Sequence, residues 1–178
     1  MVGGVKGVGK STLINEVLTI YKLNIFVFKG GEIMRNYLNL PNFDDFSSVS
    51  PELKKKAEKN MINIEKNLYK NKISFISDIH YSIELNSRYV STLNKYNQLS
   101  DYCVIVVAQP EDILEFRKND KKIRSLNLEK IIKNQKFELS IIESFCEKFK
   151  KELVIINNGY NSKKDNAILE LYEIIKKI

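Results

Sequence analysis

Eight consecutive residues, Gly4-Val5-Lys6-Gly7-Val8-Gly9-Lys10-Ser11, match the pattern G-x-x-x-x-G-K-[ST] without deviation. Glycines at this spacing let a backbone curl until its N–H groups point inward, a nest for phosphate oxygens. A helical pattern starts at once with Leu13 and Ile14. A helix N-terminus there adds unpaired N–H groups and a positive dipole end. The stretch Gly4–Thr12 is therefore read as a phosphate-binding loop for ATP. Lys10 is expected to reach the β- and γ-phosphates, and the Ser11 hydroxyl to hold Mg²⁺.

A second acidic position follows. Ile73-Ser74-Phe75-Ile76-Ser77-Asp78 is a β-type run ending in a carboxylate. Beside a phosphate loop such a carboxylate holds Mg²⁺ through its water shell; the alternative is a turn or capping aspartate. His80, the one histidine in the chain, leaves a structural and a catalytic role equally open. Neither D-x-x-G nor N-K-x-D occurs, which disfavours a GTPase.

The arginines are few. Arg35, Arg88, Arg117 and Arg124 stand against 25 lysines. Arginine presents a planar fork that grips phosphate oxygens bidentately, whereas lysine is a point charge. On that chemistry Arg117 and Arg124 are expected to clamp the transferring phosphate, and Arg35 or Arg88 to hold the acceptor.

These residues need elements to carry them. Ile25–Phe28, Ile73–Ser77, Tyr102–Ala108 and Leu153–Asn157 are short and rich in Ile, Val and Phe, as buried strands should be. Helical spacing links Leu13, Val17 and Leu18; Leu53, Ala57, Met61, Ile64 and Leu68; and Ile168, Leu171, Ile175 and Ile178. Ser50-Pro51-Glu52 supplies an N-cap and a proline at the first helical position. Strands separated by helices predict an α/β fold with a parallel sheet covered on both faces. Residues 81–101 and 117–126 resist this reading and look like surface excursions, the second with dense charge. Only Met1 and Val2 precede Gly3, too few for the roughly five-residue strand expected before the loop. This predicts a native chain that extends upstream of Met1.

The length of 178 residues suits a single domain. Apolar residues at 43% are too many for disorder. No apolar run approaches the roughly 20 residues of a membrane span, and a glycine-rich N-terminus lacks the apolar core of a signal peptide. A cytoplasmic protein is expected. Cys103 and Cys146 lack metal-ligand spacing and read as buried hydrophobes in a reducing compartment. The net charge of +7 is carried by lysines in a chain with 19 Asn and 23 Ile but three Ala. It reads as compositional bias with a solvated surface more than as a nucleic-acid footprint.

Taken with Gly31-Glu32-Ile33-Met34, Asp78-Ile79-His80 and Asp101-Tyr102-Cys103-Val104-Ile105-Val106, the loop makes the chain resemble the archaeal adenylate kinases. That resemblance implies a P-loop NTPase fold, a three-layer α/β/α sandwich on a five-stranded parallel sheet of order 2-3-1-4-5. It implies one nucleotide-kinase-like domain over 1–178, an NMP-binding arm at 29–72 and a short lid at 117–127. It also implies Mg-ATP as donor and a nucleoside monophosphate as acceptor, bound near Gly31, Arg35, His80 and Arg88. Arg124-Ser-Leu-Asn127 and Asn134-Gln135-Lys136 are similar to the lid of adenylate-kinase-like ATPases of small-subunit ribosome maturation, which implies a partner-binding role in RNA or ribosome assembly instead. The chain departs from the archaeal kinases at Asp45-Phe46-Ser47-Ser48 and at Ser82-Ile83-Glu84, where that family carries arginine.

Overall fold

The computed structural model describes residues 1–41, 46, 48–85, 88–94, 96–120, 124–160 and 162–178. Positions 42–45 and 47 of the expected arm, and 121–123 of the expected lid, lie outside the described residues. The elements in chain order are β1 (Val2–Gly3), α1 (Lys10–Ile20), β2 (Phe26–Lys29), α2 (Gly30–Tyr37), α3 (Pro51–Lys70), β3 (Phe75–Asp78), β4 (Ser82–Leu85), β5 (Arg88–Ser91), β6 (Cys103–Val107), α4 (Pro110–Lys118), α5 (Leu128–Phe149), β7 (Leu153–Asn157) and α6 (Ser162–Ile175). Five strands form a parallel sheet in the order β2-β3-β1-β6-β7. With β4 and β5 set aside, that is the order expected from the sequence. By internal contacts the chain divides into two compact units, Met1–Asn24 with His80–Ile178, and Ile25–Ile79.

In the first unit, β6 pairs with β1 on one side and β7 on the other, in register Val2↔Val104 and Val104↔Val154. Cys103, Val104, Ile105 and Val106 are buried, as a central strand requires. Leu13, Ile14 and Val17 of α1, Ile131 and Ile142 of α5, and Leu171 of α6 complete this core. Each of these fully buried side chains contributes about 1.5–3 kcal/mol by leaving water. Tyr21 stacks on Tyr172 with ring centroids 3.6 Å apart, joining α1 to α6. Both cysteines are buried and free. Burial raises both thiols, Cys146 to about 12, so neither is a thiolate nucleophile at neutral pH.

Residues 81–101 carry an antiparallel hairpin, β4 with β5, and a short 3-10 turn at Asn97–Leu99. The weak helical stripe through Leu85, Tyr89 and Leu93 is thus not a helix. Cross-element contacts favour the hairpin: the Tyr89 ring lies 5.4 Å from Phe137 of α5, and Glu84 pairs with Lys130 at 2.7 Å. That ion pair also answers the charge of Glu84. Tyr81 is fully buried, and its hydroxyl donates to Val104 O at 2.6 Å. A Cβ on Gly3 would lie 2.2 Å from the Tyr81 ring, so β1 needs glycine there for close approach.

The second unit is built on the β2–β3 pair, with register Phe26↔Phe75 through Lys29↔Asp78. Phe75 meets the rings of Phe28 and Tyr69 edge-on. The start signal for α3 is realised: Ser50 Oγ accepts from the Leu53 N–H, and Pro51 opens the helix. Ala57 is the fully buried residue of its predicted apolar stripe. No helix among the described residues is long and apolar enough to cross a membrane.

Candidate functional site

The loop between β1 and α1 has the curled geometry its glycines predict. Gly7 and Gly9 have φ of +86° and +82°, a region open to glycine at little steric cost. Gly9 is the N-cap of α1, so Lys10 and Ser11 are its first two residues. Val5 and Val8 are buried at 1% and 0%, anchoring the loop in the core. Lys10 is 5% exposed, whereas Ser11 and Thr12 are exposed at the open end of the helix. The positive end of the α1 dipole and the Lys10 charge therefore act on the same region.

Three side chains from distant parts of the chain take carbonyl oxygens of this loop. His80 Nδ1 lies 2.7 Å from Gly4 O; a carbonyl only accepts, so Nδ1 carries the proton. Arg117 of α4 donates to Lys6 O from Nε at 3.0 Å and from Nη2 at 2.7 Å, and to Ser125 O from Nη1 at 2.8 Å. Asn158, just past β7, donates from Nδ2 to Val8 O at 2.8 Å, while its own N–H donates to Val107 O at 2.7 Å. Burial first, then repulsion from the Arg124 cation, lowers the Arg117 guanidinium pKa.

His80 is held from behind. Thr92 Oγ1 donates to its carbonyl. The next residues, Tyr81 and Ser82, give their N–H and hydroxyl to the Glu138 carboxylate, each at 3.3 Å. Glu138 is 1% exposed on α5. Burial raises its pKa to about 7, against the hydrogen bonds from Tyr81 and Ser82 and the attraction of Lys10, which lower it. Gln135, one turn earlier, bridges both the N–H and the carbonyl of Ala108 and ties α5 to the end of β6.

A cavity of about 660 Å³ opens over the loop, lined by Gly7, Gly9, Lys10, Ser11, Thr12, His80, Arg124 and Asn158 among others. Its lining also includes Phe116 and Tyr160, with ring centroids 4.8 Å apart, and Asn119 and Gly159. Arg124 reaches the cavity while paired to Asp120 Oδ2 at 2.8 Å.

The residues singled out in the sequence therefore separate. Gly4 to Thr12, His80 and Arg124 converge on the loop and its cavity. Arg117 also reaches the loop, but its fork is engaged by the carbonyls of Lys6 and Ser125, where a phosphate clamp was expected. Arg88 is exposed on β5, does not line the cavity, and sits in register with Leu85. Asp78 ends β3 as expected, in register with Lys29, within the second unit. Gly31 and Arg35 lie on α2 of that unit, Gly31 exposed and Arg35 with a buried Nε that makes no hydrogen bond. Asn158 and Glu138 are additions that the sequence reading does not contain. Glu138 carries a signal nonetheless: it stands seven residues after Ile131 and four before Ile142, on the buried stripe of α5.

The loop and the sheet define a P-loop NTPase of kinase-like fold. The chain belongs to the AAA domain family, whose family model matches residues 3–153. A search of curated proteins found no match. Among solved structures, a shikimate kinase from Bacteroides thetaiotaomicron aligns over 98% of this chain and 96% of its own, with 13% identity and a TM-score of 0.60. An uncharacterized protein from Eubacterium ventriosum aligns over 99% and 97%, with 14% identity and a TM-score of 0.51. A dephospho-CoA kinase from Campylobacter jejuni aligns over 99% and 96%, with 17% identity and a TM-score of 0.49. At these identities the first two likenesses are ones of fold.

Proposed function

We propose that the chain is a phosphotransferase that moves the γ-phosphoryl group of Mg-ATP to a small acceptor, a nucleoside monophosphate by its resemblance to the adenylate kinases. The observation that carries this reading is the curled loop with Lys10 and Ser11 at the open N-terminus of α1, facing a cavity large enough for a nucleotide. Phosphoryl transfer asks little covalent chemistry of a protein; positioning and charge stabilisation do most of the work. Lys10 supplies a fixed cation and the loop N–H groups supply donors. The Phe116–Tyr160 pair offers the base an aromatic surface.

Magnesium fits the residues present. Ser11 is an exposed residue at the start of α1, and no group of three or more His, Cys, Asp or Glu side chains among the described residues forms a closed metal cage. An ion held chiefly by phosphates, waters and one or two protein oxygens is the octahedral arrangement Mg²⁺ prefers. We assign Ser11 and Asp78 to it; when bound, the ion neutralises charge on the β- and γ-phosphates. Asp78→Asn is expected to impair Mg²⁺-dependent turnover while nucleotide affinity without Mg²⁺ stays at the wild-type level. Wild-type turnover in that variant would return Asp78 to the role of a turn residue.

On the acceptor side we assign Gly31 and Arg35 of α2. Arg124 is assigned to the transferring phosphate, which must displace Asp120 from its guanidinium. Arg124→Lys keeps the charge but loses the fork, so kcat should fall about tenfold or more with a smaller change in ATP affinity. Equal kcat would remove Arg124 from the site.

The deciding experiment is a coupled assay of the purified chain with ATP, Mg²⁺ and a panel of nucleoside monophosphates. A phosphorylated acceptor is expected. ATP hydrolysis with no acceptor product, stimulated by RNA or ribosomal subunits, would replace this reading with an ATPase acting as a partner-binding module.

A further inference from the structure

We infer that His80, Arg117 and Asn158 are positioning residues that hold the phosphate loop in its binding shape by capping the carbonyls of alternate loop residues, Gly4, Lys6 and Val8. The inference rests on reading the loop as the nucleotide site and deepens it by naming what keeps the loop curled before nucleotide arrives. The pattern follows from backbone geometry. A nest turns successive N–H groups toward the ligand, and the carbonyls of the same peptide units then need partners elsewhere. A buried carbonyl without a partner costs about 1–3 kcal/mol, and Gly4 and Val8 are buried whereas Lys6 is exposed. Within the loop the Val8 N–H donates to Val5 O at 3.2 Å, and the carbonyls of Gly4, Lys6 and Val8 are met by side chains from 76, 111 and 150 residues away.

A separate observation points the same way. A Cβ on Gly7 would lie 2.7 Å from Arg117 Cγ, and one on Gly9 would lie 2.5 Å from Asn158 Nδ2. Two of the loop's glycines, Gly7 at a variable position of the motif and Gly9 at a fixed one, thus leave room for these caps as well as adopting positive φ. The Arg117 fork also suits the role, because two donors converge on one oxygen while the third holds Ser125, a geometry an ammonium cannot reproduce. An ordered loop loses less conformational freedom on binding, and that preorganisation appears as affinity.

The test reads loop order in the nucleotide-free chain and Mg-ATP affinity in parallel. Backbone amide order parameters for residues 4–9 should be about 0.85 in wild type and fall toward about 0.6 in His80→Leu, Arg117→Met and Asn158→Leu. Mg-ATP affinity should drop about tenfold in His80→Leu and Asn158→Leu, the loss of one hydrogen bond to the loop, and by more in Arg117→Met, which loses two to Lys6 O and one to Ser125 O. His80→Asn places an amide N–H where Nδ1–H stood and should restore both readouts, which a merely structural role for the ring would not. This pair of His80 variants keeps the test decisive if Arg117→Met does not fold. Unchanged order parameters in the three variants would overturn the inference, as would an equal loss of order across β6. Loss of loop order in a protein whose wild type binds no ATP would sustain the caps and sink the proposed function instead.

Discussion

Lys10→Ala is expected to abolish phosphoryl transfer and to weaken Mg-ATP binding about a thousandfold. The magnitude follows from Coulomb's law: a unit charge about 4 Å from a phosphate oxygen is worth roughly 4 kcal/mol at an effective dielectric near 20. Lys10 suits that estimate because it is only 5% exposed, where water screens it poorly. Its position at the first residue of α1 also adds its charge to the helix dipole. Calorimetric titration of Mg-ATP into both proteins, with thermal unfolding to confirm a native fold, measures the effect. Wild-type affinity in the variant would show that the loop does not bind the β- and γ-phosphates through this side chain.

The second large effect concerns stability and pH. Glu138 has its pKa raised from 4.5 to about 7, chiefly by burial. The folded protein therefore takes up this proton more readily than the unfolded chain, so stability from the group is complete below about pH 4.5 and is lost as pH rises through 7. At about 1.4 kcal/mol for each pH unit across that window, the loss is roughly 3 kcal/mol at most. The groups that bear on the carboxyl are the Tyr81 and Ser82 N–H groups, the Ser82 hydroxyl and the Lys10 cation. Glu138→Gln keeps a carbonyl acceptor but cannot titrate. Urea unfolding at intervals from pH 4.5 to pH 8 should show wild-type stability declining relative to the variant by about that amount. Parallel profiles would mean that Glu138 titrates as an ordinary surface glutamate does. Because Tyr81 and Ser82 adjoin His80, the same variant should show altered pH dependence of Mg-ATP affinity between pH 6 and 8.

What the sequence determined by itself was whatever depends on local spacing. The loop was legible because glycines at fixed intervals ahead of a helical stripe dictate a backbone curl without help from distant residues. The strands were legible because a parallel strand is a short apolar run, and the run Leu153–Asn157 coincides with β7 to the residue, although at this sheet edge Ile156 alone of the five is buried. The Ser50 cap and the carboxylate ending β3 were legible for the same reason, since cap and strand-end chemistry act over three or four positions. The hairpin at Ser82–Ser91 was not, because its polar and aromatic run has no strong period. It is held by partners about 45 to 57 residues away on α5, Phe137, Lys130 and Glu138. Nor could spacing tell what each polar side chain near the loop would face. Arg117 and Arg124 are seven residues apart, yet one caps a carbonyl of the loop while the other lines the cavity. That difference comes from how α4 packs and which buried acceptors it meets. A guanidinium in a dry environment goes to the nearest unsatisfied carbonyls because leaving them unpaired costs more than exposing a surface charge, and only the tertiary structure decides where those carbonyls are.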